Sequence, residues 1–472
     1  MEFQRGLALL VAGTFFMEIL DGTVITPAAP RIAAELGIAP IDVNVAITAY
    51  VLTIGVLIPI SGWLADRFGP RRVFTVAIVL FVLASLGCAL APTLPALTAA
   101  RVVQGAGGAL MVPVGRLVVL RTTEKSDLVR AIAYLTWPGL LAPVLAPVVG
   151  GLLADYASWR WIFVINVPLG LAAFVVALRL VPDLRADAPD PLDRPGFALM
   201  AVGVAGLIVA LEGLGSGFTP STAVALPVAG AGLGLAVRHL LRTPHPIVDL
   251  RILRVTTFRT TAASGSVYRG VIIAIPFVLP LLFQVGFGWS AAQAGLVVIA
   301  LFVGNVGIKP ATTPLMRRLG IRTVLLWSIV IGAACLVGMA FLEPTTPLPV
   351  LLALLLVSGI VRSTGFTAYN SVAFADVGQD RMNHANTLLS TLQELGAGLG
   401  VAVGALLVRL GEAIPGVAGA AAGPYRVALV LLSIVLALLA IPTLLLPRTA
   451  GDEVTGHVSL RGAAQGRDVC GT

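Results

Sequence analysis

Charge is scarce in this 472-residue chain: 11% of its residues are Asp, Glu, Lys or Arg, against about 25% in a soluble globular domain. Lysine is nearly missing, with Lys125 and Lys309 the two present, so the basic groups are almost all arginine. The net charge of +8 is therefore read by where it falls, not as a nucleic-acid signal. Four histidines (His239, His245, His384, His457) and three cysteines (Cys88, Cys335, Cys470) lie far apart. They form neither a disulfide framework nor a metal-ligand spacing. There is no Gly-Lys-Ser/Thr phosphate loop, so no motif supports ATP hydrolysis. No cofactor, metal, nucleic-acid partner or enzymatic activity is expected.

What the chain has instead is apolar length. Hydrophobic residues make up 58% of it, and the mean hydropathy is +0.98. A helix needs about 20 apolar residues to cross roughly 30 Å of hydrocarbon. Fourteen segments meet that test: 7–29, 43–64, 73–92, 95–119, 131–153, 160–181, 196–215, 222–240, 262–283, 291–314, 323–342, 348–370, 384–408 and 426–446. The first run continues past signal-peptide length into Glu18 and Asp21 without a cleavage site, so it reads as a retained span. The expectation is an all-α polytopic membrane protein.

With the N-terminus placed in the cytoplasm, 22 of the 31 basic residues fall in cytoplasmic loops and tails and four in outer loops. The remaining five (Arg101, Arg116, Arg269, Lys309 and Arg362) fall inside spans. That bias follows the positive-inside rule and puts both termini in the cytoplasm. Every loop is too short to bury a core of its own, so a receptor or an enzyme with a soluble head is not expected. Residues 447–472 read as a disordered cytoplasmic tail.

The charges inside spans need a reason, because an ionised group at the bilayer centre costs at least about 2.5–3.5 kcal/mol. Glu18 and Asp21 lie at i and i+3 on the first span and are expected to present both carboxylates to one face. Desolvation and a like-charged neighbour favour the protonated form, which suits one of the pair to take up and release a proton. Glu394, in QELGAGLGVAVG (393–404), is a further buried carboxylate on a glycine-rich helix built for close packing. It is a candidate titrating group or cation ligand. Arg269, Arg362 and Tyr268 are candidates to line the same cavity. Arg116 and Lys309 sit where snorkelling is cheap and read as structural.

Several strings then carry a family likeness. GWLADRFGPRRVF (62–74) resembles the loop 2–3 signature of the major facilitator superfamily, through Gly62, Asp66, Arg67, Gly69, Arg71 and Arg72. PLMRRLGIRTV (314–324) is a degraded copy in the second half. LDGTV (20–24) with Pro30 resembles the first-helix signature of the 14-span drug/proton antiporter branch. RVVQGAGGALMVP (101–113) resembles its fourth-helix motif, through Arg101, Gln104 and Gly105 among others. APVLAPVVGG (142–151), followed by WRWIFVINVPLG (159–170), resembles the antiporter motif of the fifth helix and the start of the sixth.

The resemblance implies the major facilitator fold: two six-helix bundles (1–181 and 255–446), with linkers and an inserted helix pair (182–254) between them. It marks Asp21 and Arg101 for proton coupling, and Pro143, Pro147, Gly150 and Gly151 for a kinked helix that seals or hinges. It implies a monomer in the bacterial cytoplasmic membrane that exports amphipathic, cationic, drug-like compounds against protons by alternating access. Two alternatives stay open. One is a dedicated exporter of an endogenous metabolite, antibiotic, peptide or lipid, for which Arg269 and Arg362 would favour an anionic or zwitterionic cargo. The other is a membrane sensor or scaffold that transports nothing.

Overall fold

The computed structural model describes residues 5–182, 190–216, 220–417 and 419–455. Arg185, Arg461 and Arg467, counted above as cytoplasmic, lie outside them. Within these residues the chain is helical throughout. The first half holds α1 (Arg5–Leu36), α2 (Asn44–Phe68), α3 (Pro70–Leu90), α4 (Leu94–Thr122), α5 (Leu128–Tyr156) and α6 (Trp161–Leu180). Next come α7 (Arg194–Ser216) and α8 (Pro220–Arg242). The second half holds α9 (Thr256–Gly286), α10 in two arms (Ala291–Gly307 and Lys309–Leu319), α11 (Ile321–Ala340), α12 (Leu348–Ala373), α13 (Met382–Glu412) and α14 (Gly423–Leu444).

Among the described residues, twelve helices are long and apolar enough to cross a membrane, or thirteen if the arms of α10, bent by 53°, count as one span. Helix α5 stands outside that count; it is 29 residues long and several of its side chains lie outside the described residues. The kinked helix that the resemblance implies here is helical without a break from Leu128 to Tyr156. Neighbouring helices can re-satisfy the backbone groups that proline frees inside a membrane. The break falls instead in α10, where Pro310 has no N–H to offer the preceding turn.

Large apolar side chains stand on the outside, with Leu83 60%, Val224 64% and Leu296 69% exposed. On a soluble protein such a surface would drive aggregation; here it matches a lipid environment.

The packing falls into two groups. In the first half α1 lies along α5, α2 and α3 lie along α4, and α6 lies on α3. In the second, α10 and α11 flank α12, and α9 and α14 pack on α13. Between the groups, α2 and α4 meet α13, while α5 meets α10 and α12. Helices α7 and α8 pack on each other, and α7 also touches α2 and α13. The two halves repeat one turn: Gly69 (φ 85°) joins α2 to α3, and Gly320 (φ 76°) joins α10 to α11. Both need a left-handed backbone that a side chain disfavours, which is why glycine stands at each.

The tail differs from its sequence reading over 447–455. There a short helix, Asp452–Thr455, buries Val454 and Thr455, and Glu453 pairs with Lys125 at 2.6 Å. Residues 456–472 lie outside the described residues.

Candidate translocation site

Helix α1 turns its two carboxylates into different surroundings, a packed polar cluster and an open chamber. The expectation that Glu18 and Asp21 share one face is corrected by the structure. A three-residue step turns a helix by about 300°, so the two side chains leave it about 60° apart. Asp21 points toward α4 and α6, and Glu18 toward the second half of the molecule.

Asp21 is 1% exposed and Arg101 is fully buried, and the two form an ion pair through Asp21 Oδ2. The other carboxylate oxygen, Oδ1, accepts from Gln104 Nε2 (2.9 Å) and Asn166 Nδ2 (2.6 Å). Gln104 also accepts from Arg101 (2.7 Å) and donates to Ser85 Oγ (2.7 Å). The guanidinium lies 3.9 Å from the Tyr50 ring centroid, a cation–π contact that a dry site strengthens. Nε and Nη2 of Arg101 are buried without a hydrogen-bond partner. Gly105 lets α4 approach α2 closely; a Cβ there would come within 2.8 Å of the Tyr50 carbonyl. Gly150 does the same for α5 against α1, facing the Val24 carbonyl at 2.5 Å. The side chains of Pro143 and Pro147, and the surroundings of Gly151, lie outside the described residues.

The open chamber is a central cavity of about 280 Å³ between the halves. Glu18 (α1) and Glu394 (α13) line it with Arg269 (α9) and Arg362 (α12). Among the described residues, neither the Glu18 nor the Glu394 carboxylate has a hydrogen bond or an ion pair within 4 Å, although Arg269 acts on both electrostatically; the Glu18 backbone carbonyl accepts from the Tyr50 hydroxyl (3.1 Å). Arg269 donates from Nε to the Gln393 carbonyl (3.1 Å) and lies 5.4 Å from the Phe366 ring centroid. Arg362 is 5% exposed and donates to the Ile272 carbonyl (2.6 Å), leaving Nε and Nη1 without partners. Tyr268, expected to share this cavity, packs on α12 instead: its hydroxyl donates to the Val361 carbonyl (3.1 Å) and its ring lies against Tyr369. The glycine-rich face of α13 packs on α9, where a Cβ on Gly400 would sit 2.2 Å from the Gly270 carbonyl.

Polar contacts across the two halves gather on one side of that cavity, toward the α2–α3 turn. Asp66 accepts from Arg121 (2.9 Å) and from Asn383 of α13. Gly62 lies against Asn383 and Thr387 so tightly that a Cβ would clash at 2.4 Å. Arg116, read from sequence as a snorkelling anchor, donates to Asn370 (2.6 Å) and Gln393 (3.3 Å) of the other half. Lys309 likewise bridges the halves, donating to Thr136 of α5 (2.8 Å) and Thr367 of α12 (2.9 Å). Arg71 donates to the Leu178 carbonyl, while Arg67 and Arg72 are exposed beside the turn. These contacts tie the two halves together at this end, beside a cavity of about 810 Å³ between α5 and α10 that Lys309, Arg317 and Arg318 help to line.

Four site residues went unread in the sequence. Ser85, Asn166 and Tyr50 complete the Asp21 cluster. Asn305 lines the central cavity, 1% exposed and with neither amide atom hydrogen-bonded. Each is a polar residue inside an apolar run, a signal present in IN166VP and GN305VG but too common to weigh alone.

A family model described as Major Facilitator Superfamily matches residues 11–401. MdtD of Escherichia coli O6:H1, a protein named for multidrug resistance, is 39% identical over 407 residues, covering 85% of each chain. MdtD of Salmonella paratyphi A is 37% identical over 412 residues, 84% of this chain and 85% of its own. Among solved structures, the proton:xylose symporter XylE bound to 6-bromo-6-deoxy-D-glucose superposes with a TM-score of 0.64 at 14% identity, over 96% of this chain and 98% of that one. The human organic anion transporter MFSD10 gives 0.64 at 15% identity, over 94% and 100%. At such identities the likeness speaks to the fold alone.

Proposed function

The chain belongs to the major facilitator superfamily, and on that premise we propose that it exports small amphipathic cations in exchange for protons. It is a multi-pass transporter of the bacterial cytoplasmic membrane. With α5 counted as a span, the reading has fourteen spans and both termini in the cytoplasm. Its bundles are 1–181 and 255–446, and 182–254 carries the inserted pair. The working unit is a monomer.

The observation that carries the proposal is the division of carboxylates. Asp21 is sealed against Arg101, whereas Glu18 and Glu394 face a cavity that Arg269 and Arg362 also line, with neither carboxylate in an ion pair within 4 Å among the described residues. On this reading Asp21 carries the proton. Its protonation neutralises one partner of a fully buried pair, releases Arg101, and lowers the cost of rearranging α4 against α1. Glu18 and Glu394 hold the cation, and the Arg116, Lys309 and Asp66 contacts close the cytoplasmic side while cargo leaves outward. The multidrug resistance for which MdtD is named fits this cargo class. A gradient of 100 mV supplies about 2.3 kcal/mol per net charge moved; exchange of one proton for one monovalent cation moves none and draws on the pH gradient, whereas a second proton per cation would add roughly fiftyfold concentration.

A dedicated exporter of a zwitterion is the second reading. It is favoured by Arg362 and Asn305, whose buried polar atoms lack partners beside the cavity. The test is accumulation of a fluorescent lipophilic cation in cells lacking their main efflux pumps, with and without a protonophore. Expression of the wild type should lower accumulation, and the protonophore should abolish the effect. A well-expressed protein that leaves a broad dye panel unchanged would transfer support to the zwitterion reading.

A further inference from the structure

One ring touches both surroundings of α1. Tyr50 of α2 is 2% exposed. Its ring centroid lies 3.9 Å from the Arg101 guanidinium, and it also lines the central cavity with Glu18 and Glu394. Its hydroxyl donates to the Glu18 backbone carbonyl (3.1 Å). Glycines bring the neighbouring helices onto it. A Cβ on Gly22 of α1 would come 3.2 Å from Tyr50 Cε1, and one on Gly105 of α4 would come 2.8 Å from the Tyr50 carbonyl. A side chain packed this closely cannot shift without shifting its neighbours. Phe163, another ring near Arg101, stands farther off at 5.8 Å and is not one of the described residues that line the cavity.

Arg101 depends on the Tyr50 ring. It is fully buried, and two of its guanidinium nitrogens have no hydrogen-bond partner among the described residues. Its close holders are Asp21, Gln104 and the ring face. When Asp21 takes a proton the ion pair is lost, and the buried cation must be met by the faces that remain. An aromatic face attracts a guanidinium, more strongly in a dry site. The seat of Arg101, and of the ring beside Glu18, therefore follows the charge on Asp21. We propose that Tyr50 is a positioning residue that couples proton occupancy of Asp21 to cation affinity at Glu18 and Glu394. The linkage is reciprocal: a bound cation favours ionised Asp21, and a proton on Asp21 favours an empty cavity. Exchange requires that relation. The inference rests on the cation-export reading above.

Charges also act across this region without the ring. Glu18 and Asp21 from α1, Arg101 from α4 and Glu394 from α13 all act on Tyr50. Arg269 of α9 acts on Glu18, and Cys88 of α3 stands beside Gln104. Glu18 and Glu394 would themselves exchange protons for a cation, so a pH profile alone would not isolate Asp21. The test is a double-mutant cycle at one pH, with Asp21→Asn standing in for the protonated acid. Equilibrium binding of a fluorescent lipophilic cation to the purified full-length protein is measured for the wild type and Asp21→Asn. The same pair is then measured with Tyr50→Leu, Tyr50→Met or Tyr50→Phe. In the wild-type background Asp21→Asn should weaken binding about tenfold. With Tyr50→Leu or Tyr50→Met, which remove the ring, it should change affinity by less than about twofold, although the cation still binds. Two such variants keep the outcome from hanging on one that fails to fold. Tyr50→Phe keeps the ring against Arg101 and should retain most of the tenfold ratio.

A ring that merely fills space would alter affinity equally with and without the Asp21 charge. The tenfold ratio would then survive in Tyr50→Leu and Tyr50→Met, and the proposal would be overturned. So would it be by a Tyr50→Phe ratio as small as theirs, or by a wild-type affinity that ignores Asp21→Asn. Cation export is measured in parallel in liposomes. A wild type that neither binds nor exports the cation sinks the export reading, and this proposal with it. Export together with a ratio unchanged by loss of the ring sinks the role of Tyr50 alone.

Discussion

Glu18 and Asp21 stand one turn apart on α1, yet one carboxylate faces the central cavity and the other is packed into a polar cluster. Asp21 is locked to Arg101, Gln104 and Asn166, while Glu18 faces the central cavity with Glu394. The two acids should therefore answer differently to the same chemical change.

Asp21→Asn leaves Arg101 charged and buried without its partner, at a cost of about 3–5 kcal/mol. The melting temperature should fall. Arg101→Gln added to it should restore most of that loss without restoring proton coupling. Thermal unfolding in detergent, read beside substrate-driven proton movement, checks both halves. A double variant that regained coupling would contradict the assignment of Asp21.

Glu18→Gln and Glu394→Gln should behave otherwise, because neither acid is held by a bond that the change would break. Stability should stay within about 0.5 kcal/mol of the wild type. Binding of a lipophilic cation should weaken by roughly 5- to 30-fold, the equivalent of about 1–2 kcal/mol, while a neutral ligand is unaffected. Equilibrium binding to purified protein distinguishes these outcomes.

The bond from Arg116 to Asn370, with its longer companion to Gln393, holds the two halves together on one side. Arg116→Gln should shift the population toward the state open at the α2–α3 turn. A cysteine replacing Asn386, now buried and bonded to the Pro113 carbonyl at 2.9 Å, would report it. Its labelling by a water-soluble reagent should quicken about fivefold, the ratio that roughly 1 kcal/mol gives.

Close packing of α10 on α12 makes a sharp stability prediction. A Cβ on Gly359 would lie 1.8 Å from the Leu301 carbonyl and 3.0 Å from the Asn305 amide, whereas one on Gly295 would meet nothing within 4 Å. Gly359→Ala should abolish the monodisperse protein peak on size-exclusion chromatography. Gly295→Ala should be neutral or stabilising by up to about 1 kcal/mol.

Much of this molecule could be read from its residues, and the gaps have physical causes. Helical spans announce themselves because a lipid core demands long apolar runs, and each of the sequence segments meets a helix in the structure. Asp21, Arg101 and Glu394 were conspicuous as charges where charge is expensive. Their partners were not, since Ser85, Asn166 and Asn305 are small neutral groups that a spanning helix tolerates cheaply. The parting of Glu18 from Asp21 depends on which neighbours stand at each side of α1, and spacing along one helix carries no such information. The same holds for Tyr268, whose hydroxyl is taken by an α12 carbonyl. Arg116 and Lys309 looked like interfacial anchors because nothing in their own spans reveals that the other half supplies their acceptors.

The central claim is that cargo leaves in exchange for protons carried by Asp21. The most direct measurement follows internal pH in proteoliposomes on adding a lipophilic cation, for the wild type and for Asp21→Asn at matched protein. The account predicts a cation-dependent pH change in the wild type and none in Asp21→Asn, which should still bind the cation. Cation transport by the wild type without proton movement, or an undiminished pH change in Asp21→Asn, would contradict it.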